Sequence, residues 1–184
     1  MTKSSQLARL AAAAAALVIA GSAAAQTETS SHGTFTAEAG LSYLSGKTLA
    51  YRGYGGGDRD DRGLNLAFGW EHPGGIGVRV LTIGDLQFGN AFFRQSERSF
   101  NNFYGVEATG SLPLASSLRL KGGLGIGTSR LDVGDDSDVR HETDGVLSAG
   151  LQWRPWAHFA LELHVDHLTR TGITSTALMA QVPF

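Results

Sequence analysis

The stretch TSTALMAQVPF, Thr174 to Phe184, decides the fold. From Thr176 onward it alternates: Thr176, Leu178, Ala180, Val182 and Phe184 point one way, and Ala177, Met179 and Gln181 the other. Successive side chains of a β-strand leave on opposite faces, so this is one strand with a face suited to lipid and an aromatic ring at its end. A strand needs partners, and the same period, followed back along the chain, supplies them.

Seven further runs alternate in the same way. Thr34 to Leu44 puts Phe35, Ala37, Ala39, Leu41 and Tyr43 on one face. Gly63 to Glu71 does so with Leu64, Leu66, Phe68 and Trp70. Ile76 to Ile83 carries Ile76, Val78 and Val80, but Leu81 and Ile83 blur its upper half. Asn102 to Leu112 carries Tyr104, Val106, Ala108 and Leu112, and Ser117 to Thr128 carries Leu118, Leu120, Leu124 and Ile126. Thr143 to Trp153 carries Leu147, Ala149, Leu151 and Trp153, and His158 to Leu168 carries Phe159, Leu161, Leu163 and Val165. Runs of about 9–11 residues cross a bilayer when tilted.

The charges test this phase. Glu38, Glu71, Arg79, Glu107, Arg119, Lys121, Asp144, Glu162, His164 and Asp166 lie within the runs, and each falls on the face opposite the apolar residues. An Arg or Lys facing lipid at the midplane costs about 2–4 kcal/mol, so apolar-out and charged-in is the pattern of a membrane barrel. A water-soluble barrel would show the reverse phase, and alternation alone does not separate the two.

Connections and aromatics do help to separate them. His72 to Gly75, Pro113 to Ser116 and Arg154 to Ala157 are tight turns, rich in the residues turns demand. Ser45 to Arg62, Gly84 to Asn101 and Ser129 to Glu142 are long polar loops, and Thr169 to Gly172 is a short one. Short periplasmic turns opposite long external loops are the outer-membrane pattern. Phe35, Trp70, Trp153, Trp156, Phe159 and Phe184 gather at the short-turn end, and Tyr43, Phe103 and Tyr104 at the loop end. These are expected to form two interfacial girdles, each ring burying its body and leaving its tip wet.

At the other terminus, Lys3 and Arg9 precede an apolar stretch from Leu10 to Ala20, and Ala23-Ala24-Ala25 precedes Gln26. That is the form of a cleaved secretory signal peptide, too short for a spanning helix. Residues 1–25 are therefore expected to be a leader and residues 26–184 the barrel domain, a single domain of 159 residues. Loss of Lys3 and Arg9 would take the formal charge from −2 to −4, without the basic footprint of a nucleic-acid binder. The chain has no cysteine, which excludes disulfides and thiol chemistry. Mean hydropathy is −0.07, and with no long apolar segment after the leader a helical membrane protein is excluded.

On GLNLAFGWEHPGGIGVRV (63–80), YGVEATGSLPLASSLRLKGGLGIG (104–127) and GVLSAGLQWRPWAHFALELHVDH (145–167), the chain resembles the eight-stranded outer-membrane barrels, the family of the outer membrane protein A transmembrane domain and the OmpX and Ail types. The resemblance spans the chain after the leader and implies an eight-stranded, antiparallel, up-and-down transmembrane β-barrel in the bacterial outer membrane. It also implies that Leu178, Ala180, Val182 and Phe184 form the signal read by the barrel assembly machinery. Periplasmic chaperones and outer-membrane lipid, including lipopolysaccharide, would be partners, and the protein a monomer. Pro183, which removes a ladder donor, departs from the family's usual terminus.

Inside such a barrel side chains just fill the lumen. Glu71, Arg79, Glu107, Arg119, Lys121, Glu162 and Asp166 are expected to form an interior ion-pair network, with Glu71 diagonal to Arg79 and Glu107 diagonal to Lys121, because buried charges require partners. Gly123, Gly125 and Gly127 make room for it. Three places could carry chemistry. His164, Asp166 and Ser175 have the residue types of a hydrolase triad, and GITSTALMAQVPF with His164 faintly resembles the outer-membrane lipid A deacylases, but Asp166 and Thr174 stand where that family has Ser and Glu. Asp132, Asp135, Asp136 and Asp138 could meet calcium but lack EF-hand spacing. The glycines of YRGYGGGDRDD (51–61) lack the Lys-Ser/Thr and helix of a phosphate loop, and this segment reads as an adhesive or lipopolysaccharide-contacting surface loop. The expectation is a non-enzyme without metal or cofactor, serving envelope integrity and surface interaction through its loops. A narrow ion or solute channel is the second reading and a lipid A-modifying enzyme the third.

Overall fold

The computed structural model describes residues 33–46, 61–85, 100–133 and 138–184. They form β1 (Thr34–Ser45), β2 (Asp61–Glu71), β3 (Ile76–Asp85), β4 (Phe100–Ala115), β5 (Leu118–Val133), β6 (Asp138–Trp156), β7 (Phe159–Leu168) and β8 (Thr174–Pro183). Each strand pairs antiparallel with the next, and β8 returns to β1 with Glu38 opposite Gln181 and Leu41 opposite Leu178, closing the barrel. Among the described residues no helix is long and apolar enough to cross a membrane. The leader expected at 1–25, the first two long loops over 47–60 and 86–99, and Asp135 and Asp136 lie outside the described residues.

Burial follows the alternation. On β7, Glu162, His164 and Asp166 are buried while Leu163 and Val165 are exposed. Val78, Val80, Val106, Leu124, Ile126 and Leu147 face outward with roughly half or more of their surface exposed, an apolar band that only lipid can cover favourably. The first short turn is built as its sequence demands; the other two are tighter than expected, since β4 runs through Pro113 to Ala115 and β6 through Arg154 to Trp156, which leaves Ser116-Ser117 and Ala157-His158 as the turns. Gly75 N donates to His72 O at 2.8 Å and His72 N to Ile76 O at 2.7 Å. Gly75 has φ +82° and its missing Cβ would strike Ser111 O, so glycine is required there.

Three further features differ from the sequence expectation. The β5–β6 hairpin reaches beyond Thr128 and Thr143: Arg130 faces His141 and Asp132 faces Val139, so most of the stretch expected to be a loop, 129–142, is ladder. Only Leu131, Val133 and Val139 in it are apolar, and Leu131 is buried in the lumen, so the outward hydrophobic alternation that marks the other strands is missing there. Leu81, Ile83 and Phe103 point inward and are fully or nearly buried; Phe103 belongs to no girdle. With Leu44, Val146, Leu168 and Ile173 they form an apolar cluster at the loop end of the lumen. Pro183, finally, removes no bond from the sheet. Successive N–H groups point to alternate neighbours, and Phe184 N donates to Phe35 O at 2.9 Å. Position 183 thus faces the β7 side, where pairing has already ended at Ala160 opposite Gln181.

Candidate functional site

The lumen gathers the ionisable side chains, and Arg79 is its hub. β3 places Arg79 directly opposite Glu107 on β4, and Arg79 Nε donates to Glu107 Oε2. Its two terminal nitrogens cross the lumen, Nη1 to Glu38 Oε2 at 3.2 Å and Nη2 to Asp166 Oδ1 at 3.5 Å. Lys121 on β5 lies 3.0 Å from Glu162 Oε2 and 3.4 Å from Glu38 Oε1. Glu38 therefore joins the two cations, and Gln181 donates to it at 2.7 Å. His164 sits between carboxylates, with Nδ1 2.6 Å from Glu162 Oε1 and Nε2 2.8 Å from Asp166 Oδ1; Arg79 Nη2 is 2.7 Å from Nε2. Nearer the short turns, Arg119 Nη1 donates to Glu71 Oε1 at 2.7 Å, joined by Ser111 Oγ at 2.9 Å.

The two diagonal pairs expected from sequence are not those that form. Glu71 stands opposite Gly77 and takes Arg119 rather than Arg79. Lys121 stands opposite Ser111 and Gly150, four positions along β5 from Glu107's partner Gly125. Closure tilts the strands, so long side chains meet partners across the lumen rather than beside them in the sheet. Glu38 and His164 complete the network; both were inward by phase, but a pairing argument confined to adjacent strands gave them no partner. Glycine supplies the room. A Cβ at Gly123 would collide with the Glu107 carboxylate, and one at Gly150 would lie 2.5 Å from Glu162 Oε1.

The other candidates resolve on geometry. Asp166 faces Ser175 in register, but Ser175 Oγ is bonded by Asn65 Nδ2 at 2.9 Å and both nitrogens of His164 are engaged by carboxylates. Among the described residues no base addresses the serine, and all of these groups point into the lumen, away from lipid. The tyrosine- and glycine-rich segment over 51–60 and the side chains of the acidic group at 132–138 lie outside the described residues. Outside the barrel, Phe35 stacks on Phe68 and on Phe184, and Phe68 meets Phe184 at a tilt, with centroids 5.7–6.2 Å apart. Trp156 meets Phe159 at 6.1 Å, Trp70 meets His72 at 5.9 Å, and Trp153 is exposed. In the terminal strand Leu178 and Phe184 are exposed and Ala180 is half-buried, but Val182 is only 3% exposed. It keeps the outward phase opposite Ala37, flanked on that face by the Phe35 and Phe184 rings.

A closed eight-stranded barrel, apolar outside and charged within, defines an outer-membrane β-barrel protein. The model of the outer membrane protein beta-barrel domain matches residues 11–180, and the chain belongs to that family. A search of the curated proteins finds no match. Among solved structures the chain is similar to Ail, the attachment invasion locus protein of Yersinia pestis, in complex with a heparin analogue, at 22% identity over 83% of this chain and 99% of that one, with a TM-score of 0.57. It is similar to the N-terminal β-barrel domain of Pseudomonas aeruginosa OprF at 12% identity over 83% and 100%, TM-score 0.56. Neisserial surface protein A is similar at 12% identity over 81% and 95%, TM-score 0.53. At these identities the likeness speaks for the fold.

Proposed function

We propose that this protein is a sealed, non-enzymatic barrel of the outer membrane that serves envelope integrity and surface interaction through the loops it carries. One observation supports the reading above the others: among the described residues the lumen side chains are paired or packed against one another. Beside Arg79, His164, Asp166 and Asn65 there is a cavity of only about 10 Å³, room for a single water. A barrel whose interior is occupied by paired charges and packed apolar side chains leaves little room for a solute, which leaves its outer surface and loops to act. A channel reading would need a continuous wet path, and an enzyme acting on lipid would need its polar groups on the outer face. Secretion by the leader at 1–25, and assembly through Leu178, Ala180, Val182 and Phe184, belong to the same proposal.

Three measurements test it. Purified protein in planar bilayers should add no conductance above the lipid baseline, and lipopolysaccharide from cells expressing it should keep its mass. Deletion of the gene should sensitise the envelope to detergent or reduce surface attachment. A stable unitary conductance would overturn the sealed reading in favour of a channel, and a mass change in lipid A would overturn it in favour of an enzyme.

A further inference from the structure

Beyond the ionic network, towards the loops, the lumen changes character. Ile83, Phe103, Leu44 and Ile173 have no exposed surface, and Leu168 and Val146 retain 1%. This is a dry layer across the barrel. Two of its members, Leu168 and Ile173, flank the short connection 169–172. That connection is already closed as a turn, with Gly172 N donating to Leu168 O at 2.9 Å and Leu168 N to Ile173 O at 2.8 Å. Yet it is held a second time. Asp144 on β6, 1% exposed, accepts Arg170 N at 2.7 Å, Thr171 N at 3.2 Å and Thr171 Oγ1 at 2.7 Å, with Ser129 Oγ at 3.0 Å. Thr169 N reaches Gly145 O at 2.9 Å, and Arg170 Nε meets Glu142 at 3.0 Å. The second set does not shape the turn; it fixes where the turn lies, folded over the mouth of the lumen with Thr171 buried.

We propose that the lumen is closed by two barriers in series, the ionic network and a dry apolar plug, and that Asp144 is the latch holding the 169–172 strap, and with it Ile173, in the plug. The inference rests on the sealed reading above. The two barriers stop solutes differently. The network fills space with paired charge, whereas an apolar constriction excludes water and so ions. In series, either suffices, and a path opens only when both fail. A carboxylate latch also makes the outer barrier the one that can move: with Asp144 disengaged, lifting Ile173 breaks only the Leu168 N–Ile173 O and Thr169 N–Gly145 O bonds at the strand ends and leaves the rest of the β6–β7–β8 ladder paired.

The natural chain has no cysteine, so a single reporter can be placed at Ile173→Cys. In folded protein, with the barrel verified by its unboiled gel mobility, this thiol should resist a water-soluble maleimide. In the Asp144→Ala background it should label about tenfold faster or more, the effect of losing at least one charge-assisted bond that holds the strap. Thr171→Val, which removes one of the bonds, should fall between. In planar bilayers, Asp144→Ala alone and Arg79→Ala with Glu107→Ala alone should stay at the wild-type baseline, and the combined variant should conduct. Equal labelling with and without Asp144 overturns the latch. If Asp144→Ala does not fold, an unchanged rate in Thr171→Val overturns it instead. Conductance in either partial variant equal to the combined one overturns the series arrangement. A conducting wild type would sink the sealed reading itself, while the labelling comparison would still judge the latch.

Discussion

Arg79 shows how much of this interior hangs on one side chain. It is 4% exposed and touches three carboxylates on three strands. Removing one partner of a buried pair costs about 3–5 kcal/mol, because the other charge is left uncompensated. Arg79→Glu should therefore lower the unfolding free energy in lipid vesicles by at least that much. The partner that rescues it is set by register: Glu107→Arg, directly across the β3–β4 ladder, should restore a large part, while Glu71→Arg should not, because Glu71 is committed to Arg119. Equal rescue by both would contradict the network described. Glycine gives a second contrast at the same scale. Gly123→Ala presses a methyl onto the Glu107 carboxylate, which Arg79 and Ser148 hold in place. Overpacking of this kind costs about 1–3 kcal/mol. Gly110→Ala meets nothing within 4 Å and should be near neutral when unfolding free energy is measured by urea titration in the same vesicles.

At the scale of the element, β3 is where the sequence was hardest to read and is the sharpest test of phase. Val78 and Val80 face lipid, 45% and 58% exposed, and Arg79 between them is buried. Val78→Arg or Val80→Arg should each cost about 2–4 kcal/mol of insertion energy near the midplane, with no interior partner able to rescue them. Single cysteines across 76–83 should label with a lipid-soluble maleimide at 78 and 80 and not at 79; the opposite pattern would reverse the strand. Leu81 and Ile83 obscured this strand because apolar residues there serve the plug, not the lipid, and a period-two pattern assumes that apolar means outward. The same assumption put Phe103 in a girdle. Strand number, closure and phase were legible because lipid imposes one rule on every outward position. The partners in the lumen were not, since they depend on tilt and on distances across the barrel that no local spacing records. The length of β5 and β6 was hidden for the complementary reason, that a ladder outside the membrane leaves no hydrophobic signature.

Over the whole molecule, the antiparallel ladder has no edge: β1 pairs with β2 on one side and β8 on the other. Within hydrocarbon every backbone donor and acceptor must be satisfied internally, and closure achieves this without a helix. Opening such a sheet exposes two rows of unpaired groups together, so the barrel should resist detergent until heat breaks it cooperatively. The folded protein should run at a different apparent mass in SDS gels before boiling than after, with a β-rich circular dichroism spectrum that persists in the unboiled sample. The temperature of conversion should separate lumen from surface. Arg79→Glu should convert well below the wild type, since the network joins β1, β3, β4, β5 and β7 across the interior. Asp144→Ala should convert close to it, since the strap it releases carries only the last backbone bonds of the ladder, Thr169 N to Gly145 O and Leu168 N to Ile173 O. Co-migration of boiled and unboiled wild type, together with substantial helix in the spectrum, would contradict the closed barrel. A large drop in conversion temperature for Asp144→Ala would instead show that the strap holds the barrel together rather than only covering its mouth.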